Sequence, residues 1–284
     1  MAPAVRIDEA ALRAWPLPRP DADGDKESRG RVLVIGGSRE LAGAAILAGT
    51  AALRAGAGKL MLAVSSAVAP WVGQSLPEAR VTGLDEAADG AFVFDERLAA
   101  LVDKADALLV GPGMAGDNAS FMATLLSHVV DGTLVLDAGA MDAVPQCAGR
   151  RCLITPHAGE MAHLLRADKS SIERDPARTA VDAARRFGVV VALKGPLTCI
   201  ADPQGRLWQH EGGNAGLGSS GSGDVLAGVI AGLAARGAPP EQAAAWGVAL
   251  HARAGDRLAR LTGEIGYLAR ELPGEIPALM SFLS

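Results

Sequence analysis

The residues with the clearest potential for chemistry lie between positions 214 and 236, where the chain reads NAGLGSSGSGDVLAGVIAGLAAR. Glycines and small polar residues in the first half of this stretch can expose backbone N–H groups, and the helix expected after them adds the positive end of its dipole. Gly221, Ser222 and Gly223 are therefore predicted to form an anion hole, to which Ser222 can also offer its hydroxyl. The sequence predicts that this loop binds a phosphate.

Asp224 adds a carboxylate at the edge of this predicted anion hole. A carboxylate beside a bound phosphate is electrostatically unfavourable unless it has a task, such as removing a proton from the group that attacks the phosphate. The alternative is that Asp224 only caps the helix, a position that aspartate often occupies. The glycines and the serine directly before it favour a catalytic base.

Composition and charge argue against several classes of protein. The 284 residues carry 27 basic and 32 acidic side chains without any run of Lys or Arg, so no nucleic-acid partner is expected. The three cysteines lack C-x-x-C spacing and no apolar signal segment opens the chain, which predicts reduced thiols and a cytoplasmic protein. No membrane association is expected, because the longest uncharged stretch that could be helical, residues 41–53, is too short to span a bilayer.

Short apolar runs alternate with helical segments from residue 32 onwards. Continuous apolar strands that are bounded by glycine and separated by helices are typical of a parallel sheet covered on both faces. The expected strands are 32–35, 59–64, 108–110, 134–136, 153–154 and 189–193. The expected helices are 42–55, 118–130, 159–165, 176–187, 224–236, 241–262 and 276–283.

The remaining segments complete the expected fold. Residues 8–15 predict a short helix and residues 21–30 a loop. Strand-like segments at 198–201 and 207–210, joined by a DPQG turn, predict an antiparallel hairpin at a sheet edge. No linker rich in Pro or Ser divides the sequence, so one domain over 1–284 is predicted, whose first 30 residues are an N-terminal extension of helix and loop.

Glycine and a polar residue together follow five of the expected strands. Ligands of open α/β sheets bind beyond the carboxyl ends of the strands, so these loops are predicted to line one crevice. A single glycine turn would mean little, but five such loops at one sheet edge indicate an extended ligand. The loops are GGS at 36–38, GPGMAG at 111–116, DAGA at 137–140, TPHAGE at 155–160 and KGPLT at 194–198.

Two other kinds of site agree less well with the sequence. GPGMAG fits the G-x-G-x-x-G pattern of dinucleotide-binding proteins, and Asp137 would suit a ribose contact. However, Pro112 removes an amide from that loop, and the motif does not follow the first strand, where a Rossmann dehydrogenase carries it. His157 and His163 suggest a zinc site, but residues six apart do not share a helical face.

Two more side chains are candidates for ligand contacts in the crevice. His157 lies between an expected strand and an expected helix, where it can either contact a ligand or cap the helix. Lys194 ends an apolar strand, so its charge must emerge at the crevice, where it and Thr198 could meet the same phosphate. The alternative for Lys194 is a plain strand terminus. The other histidines are expected at the surface or in packing positions: His128, His163, His210 and His251.

From about residue 30 to its end, the chain resembles the ADP- or ATP-dependent NAD(P)H-hydrate dehydratases, repair enzymes with the ribokinase-like fold. Any one matching block would be weak evidence, but seven blocks in the family's order are specific. The resemblance implies a three-layer α/β/α sandwich with a mainly parallel central sheet and an antiparallel edge hairpin. The blocks are GRVLVIGGS (30–38), AGAAILAGTAALRAGAGK (42–59), LLVGPGM (108–114), VLDAGA (135–140), LITPHAGEMAHLL (153–165), VVALKGPLT (190–198) and NAGLGSSGSGDVLAGVIAGLAARG (214–237).

The resemblance implies a reaction with ADP as co-substrate and Mg²⁺ as cofactor. The terminal phosphoryl group of ADP passes to the hydroxyl of a hydrated nicotinamide ring, and the electrons of the ring nitrogen then expel phosphate. The substrate is the S epimer of hydrated NADH or NADPH. The products are NADH or NADPH, AMP and phosphate.

The same resemblance implies roles for individual residues. Asp224 is the catalytic base, and Glu160 stands where related proteins keep an acidic residue near phosphate-bound Mg²⁺, with water between them. The contacts to hydrated NAD(P)H fall on Ala44, Gly113, His157 and Asp224. The contacts to ADP or AMP fall on Lys194, Gly195, Pro196, Leu197, Thr198 and Gly223.

Two loops depart from the family pattern. HAGE at 157–160 replaces HPGE, and SSGSGD at 219–224 replaces TGGSGD. Ala158 is expected to loosen its loop slightly, and Ser220 to narrow the approach to the nucleotide. Neither change removes a proposed catalytic group.

The resemblance also bears on partners and on alternative functions. The roughly 30 residues before the first expected strand cannot hold the epimerase domain that some members carry, so a separate NAD(P)H-hydrate epimerase is expected as functional partner. A homo-oligomer, a tetramer, is implied as well.

One alternative function is that of a small-molecule kinase of the same fold, of the hydroxyethylthiazole or hydroxymethylpyrimidine type, which would stop at the phosphate ester. A silent nucleotide-binding module is disfavoured because Asp224 and the anion loop are both present.

Overall fold

Ten strands form one sheet in the computed structural model, which describes residues 3–19 and 27–283. The strands are β1 (Val5–Arg6), β2 (Arg31–Ile35), β3 (Lys59–Ser65), β4 (Ala79–Leu84), β5 (Ala107–Val110), β6 (Thr133–Leu136), β7 (Cys152–Ile154), β8 (Val190–Leu193), β9 (Leu197–Ala201) and β10 (Leu207–Glu211). Their order across the sheet is β1-β10-β9-β8-β7-β6-β5-β2-β3-β4. β9 is antiparallel to β8 and β10, and the other pairings among these strands are parallel. The mainly parallel sheet and the antiparallel hairpin at one side are thus confirmed.

The strand order reverses direction at the centre of the sheet, between β2 and β5. From β2 the chain moves outward through β3 to β4, and then returns to the other side of β2 to continue from β5 to β8. Ile35 and Val110, which end β2 and β5, are register partners, so the two strands end level with each other. Such a reversal point is where open α/β sheets bind their ligands.

Helices cover both faces of the sheet. The α-helices are α1 (Glu9–Ala14), α2 (Ala42–Arg54), α3 (Ala69–Ser75), α4 (Glu96–Val102), α5 (Ala119–His128), α6 (Ala158–Leu165), α7 (Lys169–Arg174), α8 (Pro176–Phe187), α9 (Ser222–Ala235), α10 (Pro240–Thr262) and α11 (Leu272–Leu283). Short 3₁₀ helices lie at Ala138–Gln146, Ala215–Gly218 and Ala269–Glu271. Among the residues described, no helix combines the length and the apolar character needed to cross a membrane.

Buried side chains form two cores, one on each face of the sheet. Val32 and Val34 of β2 belong to the core shared with α2, α9, α10 and α11. Leu33 belongs to the opposite core, which α4, α5 and α8 complete. Because successive side chains of a strand point to opposite faces, a strand buried on both sides must be apolar throughout. This arrangement is the predicted three-layer α/β/α sandwich.

The N-terminal segment packs against the last strand and helix α10. Asp8 caps α1 by accepting a hydrogen bond from the amide of Ala11 at 2.9 Å, which confirms the predicted helix start. The ring of Trp15 stacks on Trp208 with their centroids 5.7 Å apart. The indole N–H of Trp246 donates to the Trp15 carbonyl at 2.8 Å. The predicted loop at 21–30 lies mostly outside the described residues.

Helices α2 and α9 approach each other closely because two glycines of α9 face α2. A Cβ added to Gly228 would lie 2.2 Å from the carbonyl oxygen of Ala48, and one added to Gly232 would lie 2.5 Å from that of Ala52. Only glycine permits this backbone separation. The contact also sets the position of the first turn of α9, where the predicted anion hole lies.

Several elements escaped the sequence prediction. The strand β4 reads ARVTGL and is only partly buried, because it lies at the sheet edge and has one neighbour. The helices α3, α4 and α7 have six or seven residues each, too few to show a helical period. Helix α11 begins at Leu272, four residues before its predicted start, since Pro273 falls in the first turn, where no amide donor is needed.

Candidate functional site

A cavity of about 910 Å³ opens beyond the carboxyl end of β8 and beside the first turn of α9. Its size is within the range of small-molecule and cofactor sites. Five of the predicted nucleotide contacts line it together with the predicted hydrate contact His157. Those five are Lys194, Gly195, Pro196, Thr198 and Gly223. Ala44, Gly113, Leu197 and Asp224 are not among its lining residues.

The first turn of α9 is built around Gly221. This residue has a φ of +88°, a left-handed conformation that favours glycine, and a Cβ there would lie 2.5 Å from the side chain of Leu47 in α2. The amides of Gly221, Gly223 and Asp224 donate to no acceptor among the described residues. Free amides at a helix N-terminus are suited to binding an anion.

Ser222 has partners within the protein. Its amide donates to the carbonyl of Ser219 at 3.2 Å. Its hydroxyl is buried and lies 3.0 Å from Nε2 of His251, a buried histidine of α10. Burial lowers the pKa of His251 to about 4, so this imidazole is neutral at pH 7. Ser222 also lines the cavity, so the contribution of its hydroxyl to the anion hole stays a prediction.

Asp224 is the third residue of α9 and not its cap. The N-cap residue is Gly221, so the alternative interpretation of Asp224 as a simple helix cap is wrong. The pKa of the Asp224 carboxyl is raised to about 6, mainly by burial and also by the negative charge of Asp137, while the ammonium of Lys194 opposes both effects. A carboxyl with such a pKa can accept a proton near neutral pH.

Lys194 lies at the centre of a group of acidic side chains. Its ammonium nitrogen is 3.4 Å from Oδ1 of Asp137 and 3.9 Å from Oε2 of Glu160. A Cβ added to Gly223 would lie 3.4 Å from the same nitrogen, so the cation is beside the free amides of α9. The sequence placed Asp137 in a crevice loop and suggested a ribose contact for it, but its pairing with Lys194 was not predicted.

His157 takes the capping position that the sequence left as an alternative. Its Nδ1 accepts hydrogen bonds from the amides of Gly159 at 3.0 Å and Glu160 at 3.2 Å, while the Glu160 carboxylate accepts one from the His157 amide at 2.8 Å. Since Nδ1 is an acceptor, a neutral imidazole carries its proton on Nε2. Nε2 therefore remains a donor at the mouth of the cavity.

Ala44 and Gly113 meet at the reversal point of the sheet. Gly113 has a φ of +64°, and a Cβ there would lie 2.9 Å from Cβ of Ala44. The amide of Ser38 donates to the Gly113 carbonyl at 2.8 Å, which joins the loop after β2 to the loop after β5. Ala44 precedes Leu47 by three residues on α2, and Leu47 is the residue that packs next to Gly221. This pair therefore lies on the α2 side of the α9 N-terminus.

The turn between β8 and β9 holds the other predicted nucleotide contacts. The hydroxyl of Thr198 donates to the carbonyl of Gly195 at 3.1 Å and so closes the turn. Leu197 packs its side chain against the core on the α8 face, which leaves only its backbone for a ligand. Among the described residues, no group of three or more His, Cys, Asp or Glu side chains could hold a metal ion by itself.

Comparisons with known proteins agree with this fold. The family model described as NAD(P)H-hydrate dehydratase matches residues 32–278. The ADP-dependent (S)-NAD(P)H-hydrate dehydratase of Xanthomonas campestris pv. campestris is 50% identical, over 99% of this chain and 98% of that protein. The bifunctional NAD(P)H-hydrate repair enzyme of Moorella thermoacetica is 39% identical over 97% of this chain, which spans only 54% of that longer protein.

Solved structures give the same result. A ribokinase-like superfamily protein from Enterococcus faecalis superposes with a TM-score of 0.86 at 26% identity, covering 100% of this chain and 98% of the other. The ADP/ATP-dependent NAD(P)H-hydrate dehydratase of Bacillus subtilis, co-crystallized with ATP/Mg²⁺, superposes with a TM-score of 0.83 at 28% identity, covering 100% of both chains. The fold and the site thus define a ribokinase-like α/β enzyme. The chain belongs to the NAD(P)H-hydrate dehydratase family.

Proposed function

We propose that this chain catalyses the ADP-dependent dehydration of the S epimer of hydrated NADH or NADPH. The observation that carries the proposal is the Asp224 carboxyl, whose pKa is raised to about 6 and which lies in the first turn of α9 next to unpartnered amides. The Lys194 ammonium lies beside the same turn. A base, free N–H donors and a cation in one turn suit phosphoryl transfer, which depends on positioning and charge stabilisation.

The proposed reaction has two steps. The Asp224 carboxylate takes the proton of the ring hydroxyl, whose oxygen attacks the terminal phosphorus of ADP as the bond to the AMP oxygen breaks. The amides of Gly221, Gly223 and Asp224, with Lys194, stabilise the charge on the transferred phosphoryl group. The ring nitrogen then expels phosphate by cleavage of the carbon–oxygen bond, and loss of a proton from the adjacent ring carbon restores the dihydronicotinamide.

The two substrates are assigned to opposite sides of the α9 N-terminus. The nucleotide occupies the 910 Å³ cavity next to Lys194, Gly195, Pro196, Thr198 and Gly223, and Leu197 contributes its backbone. The hydrated ring approaches from the side of Ala44 and Gly113, with the exposed Nε2–H of His157 as a donor to it. In this arrangement Asp224 faces the ring hydroxyl and the anion hole faces the phosphate.

Glu160 fits a role beside Mg²⁺. One oxygen of its carboxylate accepts the His157 amide, and the group lies within 3.9 Å of the Lys194 ammonium at the phosphate side of the cavity. Magnesium in nucleotide sites usually keeps several waters and needs only one or two carboxylates besides the phosphates. When bound, the ion would neutralise phosphate charge, and Glu160 would hold it through water.

The proposal is tested by incubating the protein with hydrated NADH, with and without ADP, and following the dihydronicotinamide absorbance. We expect the absorbance to return only with ADP and in step with the formation of AMP. Phosphorylation of a thiazole or pyrimidine alcohol, with no return of absorbance, would instead identify a small-molecule kinase. Replacing ADP by ATP in the same assay compares the two phosphoryl donors.

The pH dependence of the reaction should follow the ionisation of the Asp224 carboxyl. A general base must be ionised, and the raised pKa of about 6 means that protonation removes the active form below that pH. We expect kcat/KM to fall about tenfold per pH unit below pH 6 and to be flat just above it. An acid limb near pH 4, the range of an ordinary aspartate, would contradict this assignment.

Replacing Lys194 by methionine should weaken ADP binding. The change keeps the length of the side chain but removes the cation. A hydrogen bond to a charged group contributes about 1.5–3 kcal/mol, so the dissociation constant of ADP should rise by about 10- to 100-fold. Calorimetric titration measures this directly. Lys169→Met is the matched control, because Lys169 is exposed on α7 and pairs with Glu173 of the same helix. Equal ADP affinity in the two variants would refute the role of Lys194.

We also propose how the chain works with other proteins. It acts as a single ribokinase-like domain in the cytoplasm, where its three buried cysteines stay free thiols. A separate NAD(P)H-hydrate epimerase supplies the S epimer, since the longer repair enzymes that this chain matches are bifunctional. A homo-tetramer is the proposed assembly.

A further inference from the structure

Asp137 is a buried carboxylate for which the mechanism above has no role. It follows β6, has only 4% of its surface exposed, and accepts a hydrogen bond from the hydroxyl of Thr155 at 2.6 Å. Among the described residues, its cationic neighbour is Lys194, whose ammonium is 3.4 Å from the same oxygen. Burying a charge is costly unless it is paired, so this carboxylate must be stabilised by its neighbours or must itself influence them.

The backbone fixes Asp137 tightly. Its amide donates to the carbonyl of Val110 at 3.0 Å, and its own carbonyl oxygen would lie 1.8 Å from a Cβ on Gly111. Ala138, the next residue, has a φ of +49°, a left-handed conformation that alanine adopts only where its surroundings impose it. The carboxylate is thus held on a rigid element, as groups that orient a functional side chain need to be.

The side chain that Asp137 can orient is Lys194. A lysine ammonium sits on four rotatable carbon–carbon bonds, and only 20% of this side chain is exposed. The carboxylates of Asp137 and Glu160 both lie within 4 Å of the ammonium nitrogen, which is beside Gly223 at the free amides of α9. Without Asp137, Glu160 at 3.9 Å would be the remaining ion-pair partner among the described residues and would draw the ammonium toward α6.

Charged groups reach Asp224 from several neighbouring elements. Asp137 after β6 and Lys194 after β8 act on it directly, and Glu160 of α6 lies beyond Lys194. From α10, the neutral His251 touches Ser222, and α2 carries no charged residue before Arg54. Asp137 is therefore the one nearby group whose negative charge opposes ionisation of Asp224 among the described residues.

We propose that Asp137 is a positioning residue for phosphoryl transfer, which fixes the Lys194 ammonium beside the amides of Gly223 and Asp224 and keeps a second negative charge near the base. This inference rests on the proposed function. Asp137 touches neither substrate, and it forms and breaks no bond. It acts by keeping the cation where the migrating phosphoryl group passes.

The test compares Asp137→Asn with Asp142→Asn. Asparagine can still accept the Thr155 hydrogen bond but carries no charge. Asp142 lies five residues further on, in the 3₁₀ helix that follows Asp137, with 64% of its side chain exposed and His163 as its partner. Thermal unfolding establishes that both variants are folded, and kcat, KM and the pH profile of kcat/KM are then measured for each.

Asp137→Asn is expected to lower kcat at least tenfold, because the Lys194 ammonium is no longer held beside the amides of α9. The acid limb of kcat/KM should move to lower pH by about one unit, because a negative charge that raises the pKa of Asp224 is removed. Asp142→Asn should leave both unchanged. A fall in kcat with an unmoved acid limb would indicate a merely structural role and would overturn the proposal. Unchanged kinetics in Asp137→Asn would overturn it as well.

A second readout separates this inference from the proposed function. The carboxyl carbon of Asp224, labelled with ¹³C and assigned by its absence in Asp224→Asn, can be titrated by NMR without any substrate. We expect a midpoint near 6 in the wild type and a lower one in Asp137→Asn. An inactive wild type would refute the proposed function, and the titration would still decide the inference: equal midpoints would overturn it.

Discussion

Replacing Asp224 by asparagine should lower turnover by at least about 10², while ADP still binds. Asparagine has nearly the same shape but cannot take a proton, so the ring hydroxyl would have to attack without a base. The amides of Gly223 and residue 224, together with Lys194, remain in place for the phosphate. Steady-state kinetics with hydrated NADH and ADP measures the loss of turnover. Calorimetric titration measures whether ADP still binds. Turnover near that of the wild type would refute the assignment of the base.

The same substitution should stabilise the fold at neutral pH. Because the folded pKa of Asp224 is about 6, above the ordinary aspartate value, ionising it costs folding free energy; this cost is complete above pH 6 and vanishes below about pH 4. Asparagine has no such cost, so a gain of about 1–3 kcal/mol at pH 7 and none at pH 4 is expected. Denaturant unfolding at the two pH values measures this gain in stability. The same experiment shows whether the variant is folded, so that a loss of turnover is not mistaken for a loss of folding.

Replacing Gly228 by alanine should destabilise the protein by about 3 kcal/mol, the upper end for overpacking in a core. The new Cβ would lie 2.2 Å from the carbonyl oxygen of Ala48 and 2.8 Å from two further backbone atoms of that residue. These are backbone atoms within α2, so no side-chain rotation relieves the clash. Helices α2 and α9 would have to separate, which would also disturb the anion hole in the first turn of α9.

The matched control for this prediction is Gly274→Ala. Gly274 is an exposed glycine of α11, and a Cβ there would meet nothing within 4 Å. Alanine is favoured over glycine in a helix, so this variant should be as stable as the wild type or up to about 1 kcal/mol more stable. Urea unfolding followed by circular dichroism compares the two. The packing account would be wrong if Gly228→Ala were no less stable than Gly274→Ala.

The central part of the fold could be predicted because its strands are buried on both faces. Segments such as β2, β5 and β8 are uninterrupted apolar runs bounded by glycine or charge, and they were located to within one residue at each end. The edge strand β4 carries Arg80 and Thr82 and faces solvent, so it has no comparable pattern. The two-residue strand β1 is too short for any pattern, and it forms only because residues far along the chain pair with it.

The site was predictable where the spacing of glycines determines backbone geometry. It was less predictable where the hydrogen-bond or ion-pair partner of a side chain depends on tertiary packing. The glycines of the anion loop and the terminal Lys194 could be placed from the sequence alone. The partner of Ser222 could not, because His251 lies 29 residues away on another helix. Asp137 gave one signal, an aspartate directly after a buried central strand, but its pairing with Lys194 depends on the strand order, which brings residues 57 positions apart together.

The central claim is that the ring hydroxyl receives the phosphoryl group of ADP before it leaves, and an isotope experiment tests it directly. Hydrated NADH carrying ¹⁸O in the ring hydroxyl is converted with unlabelled ADP, and the phosphate and the water are analysed by mass spectrometry. We expect the ¹⁸O to appear in inorganic phosphate, one atom for each NADH formed. Label in water, with unlabelled phosphate, would mean that dehydration and ADP cleavage are separate reactions and would contradict the mechanism.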